Sequence, residues 1–210
     1  MNENNYYSRN RIEMLAFLPE KFSSVLEIGC GQGEFGKLIK MNYKTIYAGV
    51  EANPESAKVA KENLDLVLVG DVMEQLQFLP DQSFDLLICN DVLEHLASPE
   101  ILLQNIRSKM KPNSVFVCSL PNIRVLGNLI HLIIHKDFEY GDWGIRDRTH
   151  LRFYTKKSAV RFLTDIGFKI EKIEGINPVN SFKTAIPLGL LQMFGHGDIR
   201  FHQYGIRAKF

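Results

Sequence analysis

Short apolar or β-branched runs alternate with longer amphipathic segments along most of this chain. The runs predict strands at 25–29, 45–50, 66–70, 84–89, 114–119, 168–174 and 204–210. The amphipathic segments predict helices at 8–18, 33–41, 54–63, 73–78, 99–109 and 155–166. Such alternation builds right-handed βαβ units and a parallel sheet covered on both faces. Phe84-Asp-Leu-Leu-Ile-Cys and Ser114-Val-Phe-Val-Cys-Ser are nearly continuous in apolar character, as central strands buried on both faces are. Lys111-Pro112-Asn113 reads as a turn before the fifth strand. Ser98-Pro99-Glu100 reads as a helix start, with serine at the N-cap and proline in the first turn. The alternation fails between 121 and 153, where an amphipathic piece from Val125 to His135 precedes the run Phe138-Glu-Tyr-Gly-Asp-Trp-Gly. Ligands of open α/β sheets bind beyond the carboxyl ends of the strands. An insertion leaving the fifth strand is therefore placed to form a substrate lid. The pattern predicts one domain over 1–210, with 121–153 as that insertion.

Composition narrows the class further. A chain of 210 residues is long enough for a three-layer core. The formal charge of +1 argues against coating DNA or another nucleic acid. Cys30, Cys89 and Cys118 show no C-x-x-C spacing, and the last two lie in apolar runs, which points to buried thiols and a reducing cytoplasm. The polar N-terminus lacks the apolar core of a signal peptide. No apolar run approaches the ~20 residues that cross a bilayer, so the expected chain is soluble and cytoplasmic.

Candidate chemistry begins at Val25-Leu-Glu-Ile-Gly-Cys-Gly-Gln-Gly-Glu-Phe-Gly, a buried strand running into a turn where backbone approaches a ligand closely. Gly31-x-Gly33-x-x-Gly36 also satisfies a loose dinucleotide fingerprint, so the turn alone specifies only a nucleotide-like cofactor. Glu51 ends the second strand, where a carboxylate can accept from both hydroxyls of a ribose. Asp71 follows the third strand and can accept from an adenine amino group, with Val72 against the ring. Asn90-Asp91 closes the fourth.

Taken together these motifs resemble class I S-adenosylmethionine-dependent methyltransferases, in the branch that includes the ubiquinone-biosynthesis O-methyltransferases. The resemblance spans essentially all 210 residues. It rests on Val25-Leu-Glu-Ile-Gly-Cys-Gly-Gln-Gly, Gly49-Val-Glu-Ala-Asn-Pro, Gly70-Asp71-Val72 and Phe84-Asp-Leu-Leu-Ile-Cys-Asn-Asp-Val-Leu-Glu-His. It implies an α/β fold: a three-layer, doubly wound, mostly parallel seven-stranded sheet of Rossmann-like methyltransferase type. It also implies S-adenosylmethionine as cofactor, with S-adenosylhomocysteine as product. Gly29, Gly31 and Gly33 would line the methionine moiety, Glu51 the ribose, and Asp71 and Val72 the adenine. Asn90 would border the methyl donor, and Glu27 would order the glycine loop. Two rivals stand beside it. A nicotinamide-dependent oxidoreductase of the short-chain kind needs a Tyr-x-x-x-Lys pair, yet the residues four on from each tyrosine are Asn10, Arg11, Tyr47, Glu51, Gly144, Ser158 and Ala208. The third reading is a non-catalytic protein that has kept the fold.

Methyl transfer to a hydroxyl or ammonium also requires a base. His150 is the preferred candidate and His95 the second. Asp91, Glu94 and His95 have i, i+3, i+4 spacing, which puts them on one face of a helix. With His150 they resemble the Glu-x-x-Glu-His metal motif of small-RNA 2′-O-methyltransferases, with Asp91 in place of the first Glu. Leu-Glu-His also occurs in metal-free relatives, so the expected enzyme needs no metal; Asp91, Glu94, His95 and His150 holding Mg²⁺, Mn²⁺ or Zn²⁺ is the alternative. His131 and His135, also i, i+4, read as lacking an accompanying acidic ligand and as the polar edge of a lid helix.

On the acceptor side, Tyr7, Tyr140, Trp143 and Arg148 are the candidate contacts. Arg146, Arg148 and Arg152 suit an anionic acceptor, or else pair with Asp142 and Asp147. Asp147-Arg-Thr-His-Leu-Arg-Phe-Tyr-Thr resembles methyltransferases of surface-polysaccharide and glycolipid assembly, which implies a sugar or carrier-linked small-molecule acceptor, methylated on oxygen before nitrogen. The apolar stretches 125–134 and 186–194 suit an acceptor pocket, a homodimer face or a membrane-surface contact.

Overall fold

The structure, a computed structural model, describes residues 10–179 and 197–210. Seven strands form one sheet: β1 (Ser24–Ile28), β2 (Ile46–Glu51), β3 (Leu66–Val69), β4 (Phe84–Asn90), β5 (Met110–Pro121), β6 (Lys169–Pro178) and β7 (Phe201–Lys209). Their order is β3-β2-β1-β4-β5-β7-β6, with β7 antiparallel to both neighbours and the other pairs parallel. This is the doubly wound, mostly parallel sheet expected from the alternation.

The strands are apolar throughout because both faces are covered. Successive side chains point to opposite faces, and each face has its own core. Leu26, Leu87, Cys89, Phe116 and Cys118 belong to one cluster; Val25, Leu86, Ile88, Val115 and Val117 belong to the other. All three cysteines are buried free thiols. The helices are α1 (Glu34–Asn42), α2 (Pro54–Asn63), α3 (Val72–Gln75), α4 (Pro99–Ile106), α5 (Leu126–Ile130) and α6 (Lys156–Asp165). Winding runs from β1 toward β3 on one side and from β4 toward β5 on the other. The crevice beyond the carboxyl ends of β1 and β4 is therefore the switch point where such sheets bind ligands.

Several predicted elements come out differently. The helix expected at 8–18 is a 3-10 helix at Ile12–Phe17. Arg11, at φ 48°, lies outside the right-handed region and starts the turn, while residues 8 and 9 of the expected helix lie outside the described residues. The helices expected at 73–78 and 99–109 each tighten into a 3-10 turn, at Leu76–Phe78 and Arg107–Lys109. Ser98 occupies an N-cap but makes no side-chain cap bond. The Lys111–Asn113 turn becomes an irregularity inside β5, whose pairing with β4 jumps from Phe84–Met110 to Leu86–Val115. Beyond β5, α5 passes into a π-helical turn at His131–His135, which ends at Lys136 with φ 56°. Tyr7 and the apolar stretch 186–194 lie outside the described residues.

Candidate functional site

A cavity of about 670 Å³ opens at the switch point, within the size range of small-molecule sites. Its floor is the turn after β1. Gly29, Gly31 and Gly33 have φ of 69°, 55° and 77°, values that exclude an unstrained side chain. A Cβ on Gly29 would also sit 2.6 Å from Val92 Cγ2. Glycine lets this turn pass close to Val92, just beyond β4, and present bare backbone to the cavity.

Glu51 holds the turn in place. Its Oε2 accepts from Gly31 N at 2.8 Å and its Oε1 from Asn53 N at 2.8 Å. A carboxylate offers about four lone-pair sites, so two remain for ligand hydroxyls. Glu27, the residue expected to order the loop, lines the same cavity and has a different direct partner. Glu27 shares the strand face of Val25, and its Oε2 accepts from the Tyr47 hydroxyl at 2.8 Å. Burial pushes the Glu27 pKa up to about 7, against the lowering effects of the Tyr47 bond and the Arg11 charge. Asp71 caps α3 through Oδ1, which accepts from Met73 N at 2.8 Å, and Val72 follows it along the cavity wall. Asn90 is buried, yet neither its Oδ1 nor its Nδ2 has a hydrogen-bond partner. Such an amide costs about 1–3 kcal/mol until something pairs with it. Orphaned Asn90, the spare lone pairs of Glu51 and the bare glycine backbone fit a polar, nucleoside-bearing ligand.

Asp91 departs from expectation. Its φ of 52° breaks the chain direction after β4, and the 3-10 turn Leu93–His95 follows. No continuous helical face carries Asp91, Glu94 and His95 together. Asp91 Oδ2 pairs with Arg11 Nη2 at 2.5 Å, while Oδ1 accepts from Ser119 Oγ at 2.5 Å and Gln203 Nε2 at 2.6 Å. Burial alone would raise the Asp91 pKa, but the Arg11 charge and these hydrogen bonds hold it below the usual carboxylate value. The residue binds the N-terminal segment and β7 to the sheet and is not available to a metal.

The other three candidates do converge. Glu94, His95 and His150 bring ligating atoms within 4.8 Å of one another, and the two imidazoles meet edge to face at 4.7 Å. Glu94 is fully buried with both oxygens unpartnered. Burial, then the Asp91 charge, pushes its pKa well above the usual carboxylate value. His95 lines the cavity; His150 lies behind it, with Nδ1 3.3 Å from Ile145 O. Burial and the neighbouring His150 ring lower the His95 pKa, which favours a neutral ring at pH 7.

Trp143, Arg148 and Asp147 complete the cavity mouth. Arg148 pairs with Asp142 at 2.6 Å. Tyr140 packs against Phe138 and does not line the cavity. The expectation that His131 lacks acidic neighbours is also corrected: Asp137 and Glu139, both exposed, come within 4.8 Å of it because the chain turns back after Lys136. Sequence reasoning missed Arg11, Ser119 and Gln203 around Asp91, and Tyr47 against Glu27. All are contacts between distant segments, which no local spacing announces.

A family model described as a methyltransferase domain matches residues 2–173. The ubiquinone biosynthesis O-methyltransferase of Rickettsia prowazekii is 25% identical over 158 residues, covering 72% of this chain and 61% of that protein. The mitochondrial ubiquinone biosynthesis O-methyltransferase of Schizosaccharomyces pombe is 33% identical over 167 residues, covering 74% of this chain and 59% of that protein. The chain thus spans about three fifths of the length of these curated relatives. A crystal structure of a SAM-dependent methyltransferase from Archaeoglobus fulgidus superimposes with a TM-score of 0.68 at 26% identity, covering 100% of this chain and 95% of that one.

Proposed function

The chain belongs to the methyltransferase-domain family; from that premise we propose that it is an S-adenosylmethionine-dependent methyltransferase that methylates an oxygen of a small or carrier-linked acceptor, with His95 taking the acceptor proton. The observation that carries this reading is the position of His95 on the wall of the cavity that also contains the glycine turn, Glu51 and Asp71. S-adenosylmethionine, when bound, supplies a methyl group on a sulfonium, which leaves with its bonding pair on sulfur as S-adenosylhomocysteine.

Gly29, Gly31 and Gly33 receive the methionine end, Glu51 the ribose hydroxyls and Asp71 with Val72 the adenine. Asn90 pairs its orphaned amide with the donor. His95 Nε2 accepts the proton of the acceptor hydroxyl as its oxygen bonds to the methyl carbon. Holding the two reactants in line supplies much of the acceleration, and the base adds the rest. His150, the base preferred from sequence, becomes the ring that backs His95.

We read residues 1–210 as one methyltransferase domain, with 121–153 as the acceptor-side insertion. Trp143 and Arg148 at the cavity mouth suit a sugar ring or an anionic group, consistent with the sequence resemblance to polysaccharide-cluster enzymes. Oxygen as the target follows the names of the curated relatives. Among the described residues no helix is long and apolar enough to cross a membrane. The three buried free thiols suit a reducing compartment such as the cytoplasm. The test is transfer of a labelled methyl from S-adenosylmethionine to hydroxylated sugar, sugar-nucleotide and phenolic acceptors. An O-methyl ether identified by mass spectrometry supports the reading; exclusive N-methylation overturns it.

One observation favours a second reading. The unpartnered oxygens of Glu94 beside His95 and His150 form a donor set that fits a divalent ion. On the primary reading, turnover after EDTA dialysis stays within about twofold of the untreated enzyme. Loss of turnover that Mg²⁺, Mn²⁺ or Zn²⁺ restores would favour the metal instead.

Glu27 gives a pH prediction. The groups facing it are Tyr47, Arg11, Glu51, Cys30 and Cys89. A cationic donor draws Glu27 toward its ionised form, so the complex holds fewer protons than the free protein. Affinity for S-adenosylmethionine should rise with pH and level off above about 7. The neutral sulfur of S-adenosylhomocysteine should give a shallower slope. Calorimetric titrations between about pH 5.5 and 8.5 measure both; Glu27→Gln should flatten both curves.

A further inference from the structure

His95 does not stand alone on the cavity wall. Thr149 Oγ1 lies 3.0 Å from His95 Nδ1 and 2.7 Å from Asp147 Oδ1, and the Thr149 amide donates to the same Asp147 oxygen at 2.8 Å. Burial alone would raise the Asp147 pKa, but the Thr149 hydroxyl and amide hold it below the usual carboxylate value. Asp147 is therefore an ionised group that can only accept.

The shared hydroxyl sets the direction of both bonds. A threonine hydroxyl has a single proton, and the carboxylate takes it. The Thr149 oxygen is then left with lone pairs toward His95, so Nδ1 must be the donor. A neutral imidazole with its proton on Nδ1 carries its lone pair on Nε2.

The frame that holds this geometry is built from backbone. Leu151 N and Arg152 N both donate to Glu94 O, at 2.8 and 3.0 Å, and the Arg152 guanidinium donates to Ala97 O. These bonds tie the segment after the insertion to the loop that carries His95. His150 N donates to Asp147 O at 3.0 Å, closing the turn that presents Thr149. The His150 ring then backs His95 from the side.

We propose that Asp147 and Thr149 are positioning residues that fix His95 in its Nδ1–H tautomer, and so make Nε2 the atom that receives the acceptor proton. The proposal rests on the reading of His95 as the base and goes beyond it by naming what determines which nitrogen acts. In the balanced step, the acceptor O–H proton moves to Nε2, the oxygen bonds to the methyl carbon, and the carbon–sulfur pair stays on sulfur. His95 leaves the step as an imidazolium with its Nδ1 proton still directed at Thr149. The ionised Asp147 behind Thr149 stabilises that positive charge through the shared hydroxyl.

The experiment uses the full chain with ¹⁵N-labelled histidine. In the wild type, the ring ¹⁵N shifts of His95, assigned with His95→Gln, should show a protonated Nδ1 and an unprotonated Nε2. Thr149→Val preserves the side-chain shape, removes the hydroxyl and should yield a mixture of tautomers. Its kcat should fall about tenfold, with KM for S-adenosylmethionine within twofold. Thr149→Ser should restore both the tautomer and kcat, which a purely steric role for Thr149 would not predict. A proton on Nε2 in the wild type, or a tautomer that Thr149→Val leaves unchanged, overturns the proposal. Failure of the underlying reading has a separate signature: the tautomer is pinned as described, yet His95→Gln retains full kcat.

Discussion

Glu51→Ala should weaken S-adenosylmethionine binding about a hundredfold. The carboxylate is buried, and its two protein bonds, to Gly31 N and Asn53 N, leave lone pairs directed at the cavity. Hydrogen bonds to a charged acceptor contribute about 1.5–3 kcal/mol each. Losing two ribose hydroxyl bonds costs about 3 kcal/mol or more, and about 1.4 kcal/mol is tenfold in affinity. The variant also releases Gly31 N from the Glu51 carboxylate, so the glycine turn loses order together with the ribose site. Glu51→Gln separates the two effects: its single carbonyl oxygen can keep one acceptor bond and should give an intermediate loss. Calorimetry with S-adenosylmethionine measures the change. A dissociation constant within threefold of wild type for Glu51→Ala would remove the residue from the donor site.

His95→Ala should lower kcat by about a hundredfold or more, the usual span for a positioned base being 10²–10⁴. Donor affinity should stay within about twofold, because the proposed role of His95 is contact with the acceptor and not with the donor. His150→Ala should cost less, about tenfold, since this ring packs against His95 and not the cavity. The order of the two losses is the informative result. A larger loss in His150→Ala would return the base to the residue the sequence favoured. Steady-state turnover with saturating donor, measured beside calorimetry, keeps chemistry and binding apart.

The comparison of these two histidines shows where local pattern stops. Leu93-Glu94-His95 follows the fourth strand, and His150 lies in an Arg-rich segment after the insertion. Both are visible as chemistry-bearing residues. Their separation of 55 positions says nothing about which ring reaches a ligand. That depends on how the 147–152 segment docks onto the loop after β4, through bonds from Leu151 N and Arg152 N to Glu94 O. The Thr149 hydroxyl that fixes the His95 proton arrives by the same docking.

Asp91 shows a second limit. Its i, i+3, i+4 spacing with Glu94 and His95 suggests a shared helical face, but spacing has that meaning only on a continuous helix. Left-handed backbone at Asp91 breaks the helix, and Arg11, Ser119 and Gln203 capture the carboxylate. Glu27 and Glu51 show a third. Glu27 lies one residue before the end of β1 and Glu51 ends β2, and only the folded chain gives Gly31 N to Glu51 and the Tyr47 hydroxyl to Glu27.

The sequence alone determined the sheet, its two apolar faces, the glycine turn and the order of carboxylates along the strand ends. These follow from alternation and from the conformational range of glycine, properties that act over a few residues. Tertiary structure alone decided the partners: Glu51 on the turn, Tyr47 on Glu27, Arg11 on Asp91, and Thr149 with Asp147 on His95. Hydrogen bonds and ion pairs are short-range and directional, so their choice waits until packing brings distant segments within about 3 Å.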